Sequence, residues 1–374
     1  MQRRDSKLLK LIVLLAILFL IITRLQAAQA PNKQVWSSLI RVERDIPKPI
    51  ESHPGNIYLD NEKLQIEVPP ATPMQAVKWQ MFDDKGKLLK QGKLEKSATY
   101  GFENIKIGKM PVGWYKIKFY DNTDKELLWT TAAVLKKLKA PTPMDSPICL
   151  DLATAWFGRN NPVEQQITAN LATLAGVNWG RDRMKWGEME PQPNFYPQNT
   201  TYDMSATIQA QAGLKTLQAF HDKPSWAEPV EEGHGRFPAD LRHLYRFCKK
   251  MAQRYKGRVQ AWEPWNEANA GNFGGQTIDE MCTMQKAAYL GFKAGDQDVI
   301  VCWNAYGGIS TDLHTKGVLE NQAWSYFDTY NTHSYAWDLR YYDLWKPVRQ
   351  AACGRPIWLT ESDRGIKYQG DSPW

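Results

Sequence analysis

Cysteine is scarce and scattered in these 374 residues. Cys149, Cys248, Cys282, Cys302 and Cys353 form an odd set with no CxxC spacing. That excludes a dense disulfide framework and leaves a zinc or redox motif without its ligands; the five read as small buried hydrophobes. No HExxH and no His-x-His occurs among six histidines, so a metal-dependent hydrolase lacks its ligand spacing. A serine hydrolase would need a Gly-x-Ser-x-Gly turn, and there is none. Gly86 to Leu94 falls short of a phosphate loop, with Gln91 where the second Gly is required. Charge of one sign is also missing. Lys plus Arg exceed Asp plus Glu by seven, and four of that excess lie in residues 1–30 (Arg3, Arg4, Lys7, Lys10 and Arg24 against Asp5). A nucleic-acid footprint is therefore not indicated. No apolar run reaches the roughly 20 residues of a membrane span.

What the chain has is tryptophan, 16 in all. Its flat apolar face with one donor suits both a core and a sugar-binding cleft. The start has three parts: basic Met1 to Lys10, apolar Leu11 to Ile22, then small residues in Ala27-Ala28-Gln29-Ala30. This is the form of a secretory signal peptide over 1–30, and it predicts export, secreted or periplasmic. Pro31 sits badly after an Ala28-Gln29-Ala30 cleavage site, so earlier cleavage, or retention of residues 11–22 as a membrane anchor, stays open.

Residues 31–140 read as β. Val77, Trp79 and Met81 alternate with Lys78 and Gln80, and Tyr115, Ile117 and Phe119 alternate with Lys116 and Lys118. Period two gives strands with one buried and one wet face. Turn signals at Asp84-Lys85-Gly86-Lys87 and Asp121-Asn122 separate them. The expectation is a small immunoglobulin-like β-sandwich, with Trp79, Trp114 and Tyr115 in its core. Pro141, Pro143 and Pro147 mark 141–147 as a linker.

From Cys149 the pattern becomes strand, helix, strand. Apolar runs occur at 148–152, 176–181, 214–220, 259–265, 298–303, 326–332 and 356–361, with amphipathic helices predicted at 239–256 and 277–294. Alternation of this kind means a parallel sheet. Seven such strands over 148–374 predict an α/β fold of the (β/α)8 TIM-barrel type, lacking its last strand. With thirteen residues left after Glu361, the expectation is a chain truncated at its C-terminus.

A barrel gathers its active site at the C-terminal ends of its strands. Strand two ends at Arg181 in this reading. Strand three leads into His221 and Trp226, and strand four into Trp265-Asn266-Glu267. Strand six ends in His333-Ser334-Tyr335, strand seven in Thr360-Glu361. Glu267 and Glu361 end facing strands, and two carboxylates across one cleft are the equipment for cleaving a glycosidic bond. Asn266 can hold a sugar hydroxyl beside them. Tyr335 can donate a hydrogen bond to Glu361 and keep it ionised. Each residue also has a plainer reading: Arg181 as the ion-pair partner of Asp182 or Glu188, and Trp226 and Trp337 as core rather than sugar platforms. Trp265, inside a strand, reads as core.

On these residues the stretch from Cys149 onward resembles the retaining β-glycosidases of glycoside hydrolase clan A. The Trp262-Glu263-Pro264-Trp265-Asn266-Glu267-Ala268-Asn269 stretch is similar to both families thirty-nine and five. The resemblance implies Glu267 as acid/base and Glu361 as nucleophile. It implies Arg181 and His221 as braces of the nucleophile, Asn266 on the 2-hydroxyl, and His333 and Tyr335 completing the cleft. It further implies a β-linked oligo- or polysaccharide as partner and no metal or organic cofactor. Two alternatives stand beside hydrolysis: a non-catalytic carbohydrate-binding or scaffolding protein on a degenerate barrel, and a transglycosylase with the same residues.

Overall fold

The structure is a computed structural model that describes residues 45–146, 148–228, 236–308, 310–335 and 341–362. Residues 1–30, which the sequence pattern reads as a signal segment, lie outside the described residues, as do Trp337 and the residues beyond Ser362. By its internal contacts the chain divides into two compact units. One holds residues 45–184 with 197–218; the other holds 185–196 and the described residues from 219 on. Among the described residues no helix is long and apolar enough to cross a membrane.

The first seven strands are short and mostly antiparallel: β1 (Ile57–Leu59), β2 (Leu64–Ile66), β3 (Lys78–Asp83), β4 (Leu88–Lys93), β5 (Ile105–Gly108), β6 (Gly113–Tyr120) and β7 (Glu126–Leu135). They form a five-stranded sheet ordered β1-β7-β6-β3-β4 and a separate β2-β5 pair. The predicted alternation sets the register. Trp79 opposes Phe119 and Met81 opposes Ile117, and all four are buried. One core cluster draws on both sheets, with Leu64 and Ile66 from one and Met81, Tyr115, Ile117, Phe119 and Val134 from the other. Trp114 does not join it. It is 39% exposed, because its neighbour Tyr115 takes the inward position and successive side chains of a strand point to opposite faces.

The remaining strands are parallel: β8 (Cys149–Asp151), β9 (Trp179–Lys185), β10 (Lys215–His221), β11 (Ala261–Pro264), β12 (Ile300–Val301), β13 (Tyr330–Ser334) and β14 (Ile357–Ser362). Each of the seven apolar runs thus carries a strand. β8, β9 and the first part of β10 are neighbours in one unit; the end of β10, β11 and β12 are neighbours in the other. β13 and β14 form their own pair, and an isolated parallel bridge, Cys302 to Thr329, lies between the β12 and β13 segments. Among the described residues these strands do not close into a barrel. β9 runs four residues past Arg181, which places that arginine mid-strand rather than at a strand end. The cause is inward anchoring further on. Asp182 accepts from Ala155 N (3.0 Å), Ser205 Oγ (2.5 Å) and Gln209 Nε2 (2.9 Å), and Met184 is fully buried. Burial pushes the Asp182 carboxyl above its usual range, against those donors.

Two helices sit close to their predicted spans. Leu241–Arg254 starts where Asp240 accepts from the Arg242 N–H, and Ile278–Gly295 starts on a capping box between Thr277 and Glu280. The cysteines split. Cys248, Cys282 and Cys302 are buried as expected, whereas Cys149 and Cys353 are exposed, and all five are free. Cys149 lies on β8, whose three residues are all exposed, and Cys353 sits in the turn after the helix Tyr341–Ala352, at φ 49°.

Candidate active site

The end of β11 turns sharply. Trp265 and Glu267 both adopt left-handed backbone, at φ 71° and 44°, which costs a non-glycine residue about 1–3 kcal/mol and persists where surrounding packing over-determines it. Here Trp265 supplies that packing. It is buried, donates from Nε1 to the Phe273 carbonyl at 2.9 Å, and meets Phe237 edge-on at 4.9 Å. The loop is pinned again by the Ala270 N–H donating to the Glu267 carbonyl at 2.7 Å. The expected core role of Trp265 agrees with this burial.

The strained turn delivers the Glu267 side chain to His333, whose Nδ1 lies within hydrogen-bonding distance of Glu267 Oε1, at 2.8 Å. The same nitrogen lies 3.6 Å from Glu361 Oε2. Glu361 reaches this point because β13 and β14 pair in register with His333 beside Glu361, after a bulge between Thr332 and His333. Tyr335, directly after β13, donates its hydroxyl to Glu361 Oε2. One donor atom each from Glu267, His333 and Glu361 lies within 4.8 Å of the others. Four sequence-proposed residues thus converge, and the carboxylates stay partly accessible: the Glu267 side chain is 19% exposed and that of Glu361 10%. The converging trio is also a donor set that an ion could use.

Other proposed residues lie differently. His221, at the end of β10, is buried, with Nδ1 2.8 Å from Asp222 Oδ1 and its ring edge-on to Phe273 at 5.4 Å. Asn266 is buried within the strained turn. Trp226 is half-buried and tied down: Nε1 donates to the Glu190 carbonyl at 2.9 Å, and the ring meets Trp186 and His243 edge-on. Arg181, in the other unit, pairs with Asp151 at 3.3 Å, and Arg183 pairs with the same carboxylate. The sequence reading gave Arg181 two other partners, Asp182 and Glu188. Asp151 ends β8, and its register partner on β9 is Arg181 itself, a pairing that spacing along the chain does not reveal.

Two residues escaped the sequence reading. A Cβ on Gly307 would stand 2.9 Å from Glu267 Cβ and 3.0 Å from its Cδ, so only glycine lets this backbone lie against the Glu267 side chain. Asn269 holds it there, accepting from Gly307 N–H at 2.7 Å and donating to the Gly307 carbonyl at 3.0 Å. A Gly-Gly pair at 307–308 was the visible signal, but it reads as an ordinary turn.

No family model and no curated protein matches the chain. Its neighbours among solved structures are glycoside hydrolases at low identity. One is a family 39 glycoside hydrolase from the gut symbiont Bacteroides cellulosilyticus WH2, 16% identical with a TM-score of 0.49, over 74% of this chain and 56% of that one. Another is an exo-beta-1,4-mannosidase from Opitutaceae bacterium strain TAV5, 13% identical with a TM-score of 0.40, over 58% of this chain and 40% of that one. A third is Bacteroides uniformis beta-glucuronidase 2, 13% identical with a TM-score of 0.38, over 75% and 35%. The chain therefore spans little more than half the length of the first and less of the others.

Proposed function

We propose that this chain is a retaining hydrolase of β-linked glycosides, exported, with Glu361 as nucleophile and Glu267 as acid/base. The observation that carries this reading is the approach of the two carboxylates, oxygen to oxygen within 4.8 Å. An approach this close suits the roughly 5–5.5 Å spacing of the carboxyl groups in retaining glycosidases. The hydrogen bonds divide the roles. Tyr335 donates to Glu361, which favours its charged, nucleophilic form. His333 occupies Glu267 Oε1, leaving Oε2 for the proton that the leaving oxygen must receive. Glu361 attacks the anomeric carbon as Glu267 Oε2–H protonates the departing oxygen, giving a glycosyl-enzyme ester and a free alcohol. Glu267, now ionised, takes a proton from water, whose oxygen displaces Glu361 and restores both side chains. In this reading β8 to β14 are consecutive strands of a β/α barrel, and the antiparallel region is a small sandwich of its own.

Two variants test the roles on aryl β-glycosides. Glu361→Ala is expected to lose turnover by about a thousand-fold or more on every leaving group. Glu267→Ala is expected to lose much less on an activated leaving group, which departs without a proton, than on a poor one. Wild-type-like turnover in Glu361→Ala refutes the assignment. A wild-type protein that binds β-glycans and releases no new reducing ends is a carbohydrate-binding protein instead.

A further inference from the structure

A third acid, on the strand that leads to Glu267, takes no part in the hydrolytic steps. Glu263 stands on β11, four residues before Glu267, and is fully buried. Its Oε2 accepts from two other strands, Asn331 Nδ2 on β13 at 2.6 Å and Thr360 Oγ1 on β14 at 2.9 Å. Asn331 in turn accepts at Oδ1 from Thr329 Oγ1 at 2.9 Å. Both donors to Glu263 sit next to reacting groups in the chain. Asn331 is two residues before His333, and Thr360 directly precedes Glu361.

The register of β13 and β14 gives this contact its meaning. Thr332 pairs with Leu359, but His333 pairs with Glu361. Thr360 is therefore the extra residue of a bulge. In an unbroken ladder His333 would oppose Thr360, and Glu361 would point to the opposite face from His333, because a slip of one residue inverts every side chain. Bulges re-aim a side chain in this way and leave the extra residue without a ladder partner. The hydroxyl of that extra residue is what Glu263 holds.

We infer that Glu263 is a positioning residue: by gripping Thr360 and Asn331 it fixes the bulge that turns Glu361 toward His333 and Glu267. The inference rests on the two-carboxylate reading of the cleft. A buried acid adds less to stability than a well-packed apolar side chain of its size, so its place at the junction of three site-bearing strands is best explained by the geometry it imposes. Loss of the Thr360 grip releases Glu361 while leaving the other strands' packing in place.

The test pairs Thr360→Val, which deletes the hydroxyl and keeps the shape, with Thr360→Ser, which keeps the hydroxyl. Kinetics on an aryl β-glycoside, thermal melting and a crystal structure are read for each. Thr360→Val is expected to melt near wild type and lose about ten- to hundred-fold in kcat, as misplacement of a reacting group by an ångström or so does, with KM nearly unchanged. Its structure is expected to show Glu361 Oε2 displaced from its 3.6 Å approach to His333 Nδ1. Thr360→Ser is expected to recover most of the kcat. Glu263→Gln keeps an acceptor for Asn331 and can donate to Thr360, so it is expected to fall between. Wild-type kcat with an unmoved Glu361 in Thr360→Val overturns the inference. If the wild-type protein itself yields no product, the hydrolase reading fails, and the crystal structures decide this one alone: Glu361 displaced in Thr360→Val supports it, and Glu361 unmoved overturns it.

Discussion

In the antiparallel region, residues 57–135, the core is apolar: Ile66, Met81, Ile117 and Phe119 have no exposed surface, and Thr72 is the one buried polar side chain there, with Asn56 just before β1. The parallel region buries Arg181, Asp182, Glu190, His221, Lys223, Glu263, Asn331 and His333. Apolar burial contributes about 25 cal/mol per Å², while each buried polar group costs about 1–3 kcal/mol unless its partners are present. The first region is thus arranged for stability. The second accepts expensive side chains and gives many of them partners, as at Glu190, which takes hydrogen bonds from Trp186 Nε1, Asn194 N and Tyr196 OH. Chemistry is to be sought where the expensive groups are.

Three experiments break or sharpen that contrast. The largest effect is expected from Phe119→Ala, which should lower stability by about 3–5 kcal/mol, as large-to-small core changes do. Turnover per folded molecule should hold; its loss would show that the antiparallel core also shapes the cleft. A pH-dependent effect comes next. His314, on the helix Asp312–Glu320, is buried, with Nε2 3.0 Å from the Tyr330 hydroxyl, and desolvation lowers its pKa from 6.5 to about 3. The unfolded chain takes up this proton below about pH 6.5 and the folded protein does not until about pH 3, so stability is full above 6.5 and falls as pH drops through that window. The slope from this group is about 1.4 kcal/mol per pH unit. Melting curves between pH 7 and 4.5 should be flatter for His314→Gln than for wild type; parallel curves would remove His314 from the acid response. The smallest is Gly307→Ala, whose new Cβ must push Glu267 by a few tenths of an ångström. A roughly tenfold fall in kcat is expected with little change in melting temperature. An unaltered kcat would mean that Glu267 tolerates displacement.

The elements of both regions were legible because each follows a short period. Trp79 and Met81 alternate with wet neighbours, and every parallel strand lies on an apolar run. The convergence of Glu267, His333, Tyr335 and Glu361 was legible too, since each closes such a run or lies within three residues after one. Glu263 was not. A single acid between Trp262 and Pro264 gives no sign that its partners lie 68 and 97 residues away. Nor could the bulge at Thr360 be read, because register is a property of two strands and appears in neither alone. Trp114 misled for a simpler reason: it is as apolar as its neighbour Tyr115, and only one of two adjacent residues can face inward.

The left-handed turn from Trp265 to Glu267 bears on any effort to improve this protein. A screen that rewards heat resistance alone will favour replacements that relax that turn, glycine above all at Glu267, and will drift toward hardy molecules that no longer work. Selection for the product, applied together with heating, is what would keep the tension where it is useful.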